Sequence, residues 1–171
     1  MFERILVGFD GSAPSRRAVQ VATEMAGRFG STLTIAMVLP PTRGVAYDRL
    51  ETLVPLTDDG RTLAALLDEL REHAVARGVQ MVEPVTLRGE VLECLLDYLV
   101  RNPQDLVVVG SRGLTRGRRL LLGSVSTGLV NSAHCPVLVV RPGPPHVAPH
   151  VVKPPAHVEG HPAKSATSGP G

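Results

Sequence analysis

Short apolar runs alternate with longer stretches of mixed polarity over the first 141 residues. Ile5-Leu6-Val7, Leu33 to Val38, Val79 to Val85, Leu106 to Val109 and Val137 to Val140 have the length of strands. Four of the five are continuous rather than alternating, the pattern of parallel strands covered on both faces. Between them, apolar residues recur every three or four positions. Ala18, Val21, Ala22, Met25, Ala26 and Phe29 form one such stripe, after a candidate N-cap at Ser12 and before Gly30. Leu63, Leu66, Leu67, Leu70 and Ala74 form a second, up to Gly78. Val91, Leu92, Leu95, Leu96 and Leu99 form a third, and Val125, Leu129, Val130 and Ala133 a fourth. Strands separated by helices need crossover connections, which make the sheet parallel and the crossovers right-handed. The expectation is an α/β fold: one doubly wound domain over residues 1–141, a five-stranded parallel sheet with helices on both faces.

Two segments stand outside that alternation. Residues 40–60 have no clear period and suit either a functional lid or a loop holding a short helix around Tyr47 to Leu53. After Arg141 the composition changes abruptly: eight of the 15 prolines lie beyond it, beginning with Pro142-Gly143-Pro144-Pro145. Such a segment cannot bury a core, so residues 142–171 are expected to form a disordered Pro/His-rich tail. His146, His150, His157 and His161 form two H-x3-H pairs, a spacing that aligns two ligands only on a helix. Pro149, Pro154 and Pro155 oppose a helix there. A solvated tail is the expectation, with a weak soft-metal site as the alternative.

Charge and composition remove several function classes. A net charge of +2 is too small to imply nucleic acid as the main partner, and five aromatics leave little for a base-stacking platform. The longest apolar runs fall far short of the ~20 residues a membrane helix needs. Met1-Phe2-Glu3-Arg4 leads into a short apolar run ended by Asp10, without the long h-region of a secretory signal. Cys94 and Cys135 make neither a disulfide framework nor a CxxC motif. The expectation is a cytoplasmic protein with inert thiols, binding neither nucleic acid nor membrane.

In an open α/β sheet, ligands bind beyond the carboxyl ends of the strands, where strand order reverses. Gly8-Phe9-Asp10-Gly11-Ser12 follows the first strand. Gly110-Ser111-Arg112-Gly113 follows the fourth, and Gly123-Ser124-Val125-Ser126 opens the last helix. Glycines let backbone amides approach a ligand, and a helix start with two hydroxyls is a natural anion site. Arg112, Arg116, Arg118 and Arg119 add positive charge between them. Of the 18 basic residues, the only lysines are Lys153 and Lys164, which excludes a Walker loop. No GxGxxG follows the first strand, and no GxSxG gives Ser124 a hydrolase context. His73 and His134 make no metal spacing with each other.

What remains is G-x2-G-x9-G-S at Gly110, Gly113, Gly123 and Ser124. With the opening strand into Asp10-Gly11-Ser12, the Val38 strand end, and Pro136-Val137-Leu138-Val139-Val140, residues 1–141 resemble the universal stress protein family in its ATP-binding branch. The resemblance implies a sheet in order 3-2-1-4-5 with a crevice between strands one and four. Asp10 matches the acidic residue beside adenosine, with Gly8 as its backbone neighbour and Val38 meeting adenine. Gly110 matches a position near the ribose, and Gly113 begins the loop over the phosphates. Ser111, Arg112, Leu114, Thr115 and Arg116 complete that loop's expected cofactor-binding set. Ser124, Val125 and Ser126 match backbone and hydroxyl donors at the helix start. Arg112 stands where the family often has His, a change that favours phosphate. The implied cofactor is ATP, accompanied by Mg2+.

Each residue also has a plainer reading. Asp10 suits a helix cap, Gly110 and Gly113 a tight turn, Ser124 and Ser126 N-terminal caps, and the arginines a solvated face. Three functions compete. One is an ATP-binding regulator of the stress response, whose nucleotide orders residues 111–122 for an unknown protein partner. Another is a slow ATP hydrolase or autophosphorylating enzyme. Its one placed carboxylate, Asp10, sits at the adenosine end, so turnover far below the about 1–100 s⁻¹ of a kinase is expected. The third is a nucleotide-free interaction protein, against which the intact glycine set argues. The apolar run Val137 to Val140 belongs at a sheet edge, and a homodimer paired through it is expected.

Overall fold

The computed structural model describes residues 2–39, 63–113 and 122–141. Along the chain these form β1 (Arg4–Gly8), α1 (Ala13–Phe29), β2 (Thr32–Leu39), α2 (Leu63–Ala76), β3 (Met81–Arg88), α3 (Val91–Arg101), β4 (Leu106–Gly110), α4 (Ser124–Ser132) and β5 (Val137–Val140). The strands make one five-stranded sheet in the order β3-β2-β1-β4-β5, with every neighbouring pair parallel. This is the doubly wound architecture expected from the apolar runs. The second expectation, for residues 40–60, and that for the tail at 142–171 both lie outside the described residues.

Side chains alternate between two cores because successive strand residues point to opposite faces. Ile5, Val7, Leu33, Ile35 and Val108 face α1 and α2, packing on Ala18, Val19, Ala22, Leu66, Leu67 and Ala74. Leu6, Ala36, Val107 and Val109 face α3 and α4, packing on Leu95, Leu99 and Leu129. Each fully buried Val, Leu or Ile contributes about 1.5–3 kcal/mol. That explains why the inner strands are apolar at consecutive positions rather than alternate ones.

Helix ends follow the local signals closely. Ser12 caps α1, its Oγ accepting from the Ser15 amide at 3.3 Å. At the other end the amides of Gly30 and Ser31 reach the Ala26 carbonyl. Helix α2 ends in a Schellman motif: Gly78 has φ +90°, its amide donates to the Val75 carbonyl, and the Val79 amide donates to the Ala74 carbonyl. This accounts for a difference from the expected third strand. Val79 is buried as the hydrophobic end of that cap rather than as a strand residue, and β3 begins at Met81. The strand then runs on to Arg88 because Thr86, Leu87 and Arg88 pair with Met37, Val38 and Leu39. Pro84 fits within it because β3 lies at the edge of the sheet. Two residues of the expected apolar stripes, Phe29 and Val130, are more than half exposed.

At the amino-terminal rim, the Asp105 carboxylate accepts from the amides of Glu3 and Arg4 at 2.8 and 2.9 Å. These bonds tie the start of β4 to the start of β1. They hold the Asp105 carboxyl below its usual range, since hydrogen bonds to the charged form favour it. Among the described residues no helix is long and apolar enough to cross a membrane.

Candidate functional site

From β1 the chain steps outward to β2 and β3, then returns to β4 on the other flank of β1. Strand order therefore reverses between β1 and β4, and the loops after these two strands meet at their carboxyl rim. Gly8 ends β1 opposite Ala36 of β2. Val38 lies two residues further along β2, half-buried and paired with Leu87. The sequence-derived site residues thus span the rim from β2, across β1 and β4, to the start of α4.

On the β1 side, side chains close the turn. One Asp10 oxygen, Oδ1, accepts from the Ser12 amide at 2.9 Å. Asp10 is therefore not the N-cap itself, since Ser12 fills that role, but it braces the turn leading into it. The Ser15 hydroxyl donates to the Ser12 carbonyl at 2.9 Å. Arg16 donates from Nε to the Gly11 carbonyl at 3.2 Å, and its guanidinium lies 5.9 Å over the Phe9 ring. Neither Ser15 nor Arg16 stood among the expected site residues. The three-residue spacing from Ser12 to Ser15 was the available signal for the first.

The β4 side is built from close approach. A Cβ on Gly110 would lie 2.8 Å from both the Pro14 carbonyl carbon and the Ser15 nitrogen, backbone atoms of the first turn of α1. Gly110 has no positive φ, so the demand on it is space rather than turn geometry. A Cβ on Gly113 would lie 2.7 Å from Asp10 Oδ2. The Asp10 carboxylate therefore rests against Gly113 and joins the two loops. The Ser12 hydroxyl reaches across the same gap to within 3.5 Å of the Arg112 carbonyl, a long contact.

Ser111 connects this loop to everything around it. Its amide donates to the Val140 carbonyl of β5 at 2.7 Å, and its carbonyl accepts from the Gly123 amide at 2.7 Å. The Ser126 hydroxyl also lies within bonding distance of the Ser111 carbonyl, at 3.2 Å, and of the Gly123 carbonyl, at 3.0 Å. Residues 110–113 and 123–126 are thereby folded into one unit. Ser124 is exposed and Val125 half-buried, while Ser126 is buried with its hydroxyl turned inward. Arg112 is exposed at the rim. Leu114, Thr115 and Arg116, with Arg118 and Arg119, lie outside the described residues.

Helix α4 starts without a side-chain cap. Gly123 occupies the N-cap position with φ −76° and ψ 165°, and the first turn carries no acidic residue. Its amino-terminal amides and positive dipole end form the standard arrangement for holding an anion. The thiols lie elsewhere. Burial and the carboxylates of Glu93, Asp97 and Glu90 push the Cys94 thiol up, and burial with Asp105 does the same to Cys135, which lowers thiolate reactivity.

The chain matches known proteins over this same architecture. The model of the universal stress protein family matches residues 1–141. A universal stress protein of Thermus aquaticus is 32% identical over 143 residues, covering 82% of this chain and all of the relative. One from Bacillus subtilis is 30% identical over 149 residues, with 82% and 100% covered. Among solved structures, a universal stress protein in complex with cAMP superposes with a TM-score of 0.68 and 29% identity, covering 83% of this chain and 99% of that one. The sheet order, the fused glycine loops and these matches agree: the chain belongs to the universal stress protein family.

Proposed function

We propose that this chain binds an adenine nucleotide, ATP in its working state, in the crevice at the β1/β4 switch point and acts as a nucleotide-dependent regulator. The observation that carries the reading is the start of α4. An uncapped helix terminus lies beside Arg112 and Gly113, next to the loop braced by Asp10. A phosphate group supplies the acceptor that the missing cap does not. The complex of the 29%-identical relative with cAMP supports an adenine nucleotide as the ligand class.

The remaining residues fit such a ligand in order along the rim. Val38 and Gly8 offer backbone at the adenine end, and Asp10 offers a carboxylate beside the ribose. Gly110 and Gly113 let the main chain come close, and Ser124 with Val125 faces the phosphates. Among the described residues no three of His, Cys, Asp and Glu gather into a metal site. An accompanying Mg2+ would be held by phosphate oxygens and by the several waters it usually keeps.

The two edges of the sheet support self-association through β5. Edge strand β3 carries Pro84 and the exposed Glu83, devices that discourage pairing. Edge strand β5 is Val-Leu-Val-Val, all half-buried, with no charge along it. A homodimer pairing these strands gives twice the chain mass by light scattering, and a monomer mass contradicts it. Nucleotide binding is tested by melting the purified protein with ATP and magnesium. Ligand at 100 times its dissociation constant adds about 2.7 kcal/mol, read as a rise in Tm. An unchanged Tm at saturating ATP sinks the reading. Adenine nucleotide released on denaturing freshly purified protein supports it independently.

A further inference from the structure

Ser126 stands at the start of α4, where its hydroxyl would be expected to face the ligand, yet its side chain turns the other way. It is 3% exposed, and its hydroxyl lies 3.2 Å from the Ser111 carbonyl and 3.0 Å from the Gly123 carbonyl. Ser111 is itself only 1% exposed and is anchored to β5 through the bond from its amide to the Val140 carbonyl. Its carbonyl also accepts from the Gly123 amide. The first turn of α4 is thus held to Ser111, which is itself bonded to β5, by one main-chain bond and by a Ser126 hydroxyl shared between the Ser111 and Gly123 carbonyls.

We propose that Ser126 is a positioning residue rather than a ligand contact: its inward hydroxyl clamps the first turn of α4 to Ser111 and so aims the amides of Ser124 and Val125 at the phosphate. This rests on the adenine-nucleotide reading of the same crevice and adds a division of labour to it. Exposed Ser124 meets the phosphate, while buried Ser126 sets the direction of the helix terminus. Helix-terminal electrostatics fall off within one turn, so a small loss of aim is felt in phosphate binding. The adenosine end, formed by Gly8, Asp10 and Val38, belongs to β1, the loop after it and β2 rather than to α4, and is left alone.

The test compares ATP with adenosine on the full chain, by calorimetric titration of wild type, Ser126→Ala and Ser126→Thr. ATP binds wild type more tightly than adenosine by a factor that measures the phosphate subsite. In Ser126→Ala the adenosine affinity is kept, and that factor falls by about tenfold, the value of one buried hydrogen bond. Ser126→Thr, which keeps the hydroxyl, restores it. Retained adenosine binding shows that Ser126→Ala is folded. A full ATP advantage in Ser126→Ala overturns the proposal, as does an equal loss of both ligands, which marks a merely structural residue. Wild type that binds neither ligand overturns the nucleotide reading itself, and this inference with it.

Discussion

Helices α1 and α4 both begin at the carboxyl rim of the sheet, and they begin differently. Helix α1 is closed by its own side chains. Ser12 caps it, Ser15 bonds back to Ser12, and Asp10 holds the Ser12 amide. Helix α4 has Gly123 at the same position, with no side-chain cap and no acid in its first turn. Of these two helix termini, α1 has a side-chain cap and α4 has none. The contrast supports the proposed placement of phosphate at the start of α4. The β1/β4 seam differs between its ends: Asp105 closes the amino-terminal rim with two amide bonds, whereas at the carboxyl rim the contacts are the Asp10 carboxylate against Gly113 and the long Ser12–Arg112 approach.

The strongest way to break this arrangement is to force the two termini apart. Gly110→Ala places a Cβ against backbone atoms of Pro14 and Ser15, which cannot swing aside as a side chain can. A loss of about 2–3 kcal/mol is expected by denaturant unfolding, with nucleotide binding lost as well. A variant of wild-type stability shows that the approach of β4 to α1 is not required.

Opening the closed terminus has a smaller effect. Ser12→Ala removes the α1 cap and costs about 1 kcal/mol in chemical unfolding. The rise in Tm with ATP persists, because the α4 terminus is untouched. If that rise disappears, the functional distinction between the two helices is wrong.

The smallest effect is at the far end of the seam. Asp105 has a folded-state carboxyl held below its unfolded value, so its contribution is present above the unfolded carboxylate range and lost as pH falls through the folded value. Asp105→Asn therefore weakens the acid-side fall of stability while leaving the response to ATP unchanged. A pH series of unfolding curves for the two proteins measures it.

Much of this was legible in the sequence because it depends on neighbours along the chain. Apolar runs gave the strands, and the signals at Ser12, Gly30 and Gly78 marked helix ends that depend on local hydrogen bonds. What escaped depends on contacts between distant segments. Val79 reads as strand until the cap of α2 claims it. Gly110 reads as a turn residue, whereas the first turn of α1 is what excludes a side chain there. Ser124 and Ser126 look equivalent in the string, and only the placement of the Ser111 carbonyl separates an outward hydroxyl from an inward one. Val130 fits the apolar stripe of α4, but among the described residues it stays about half exposed on that short helix.

The most direct test makes the open terminus resemble the closed one. Gly123 has a φ of −76°, and a Cβ there meets Arg112 Cα at an ordinary 3.4 Å, so a side chain fits. Gly123→Asp supplies α4 with its own capping carboxylate, which is worth a few tenths to about 1 kcal/mol and repels an incoming phosphate. Melting curves with and without saturating ATP should show Gly123→Asp at or above the wild-type Tm when ligand-free, with no rise on adding ATP, beside a clear rise for wild type. Equal rises in both proteins would contradict the assignment of the phosphate to the start of α4.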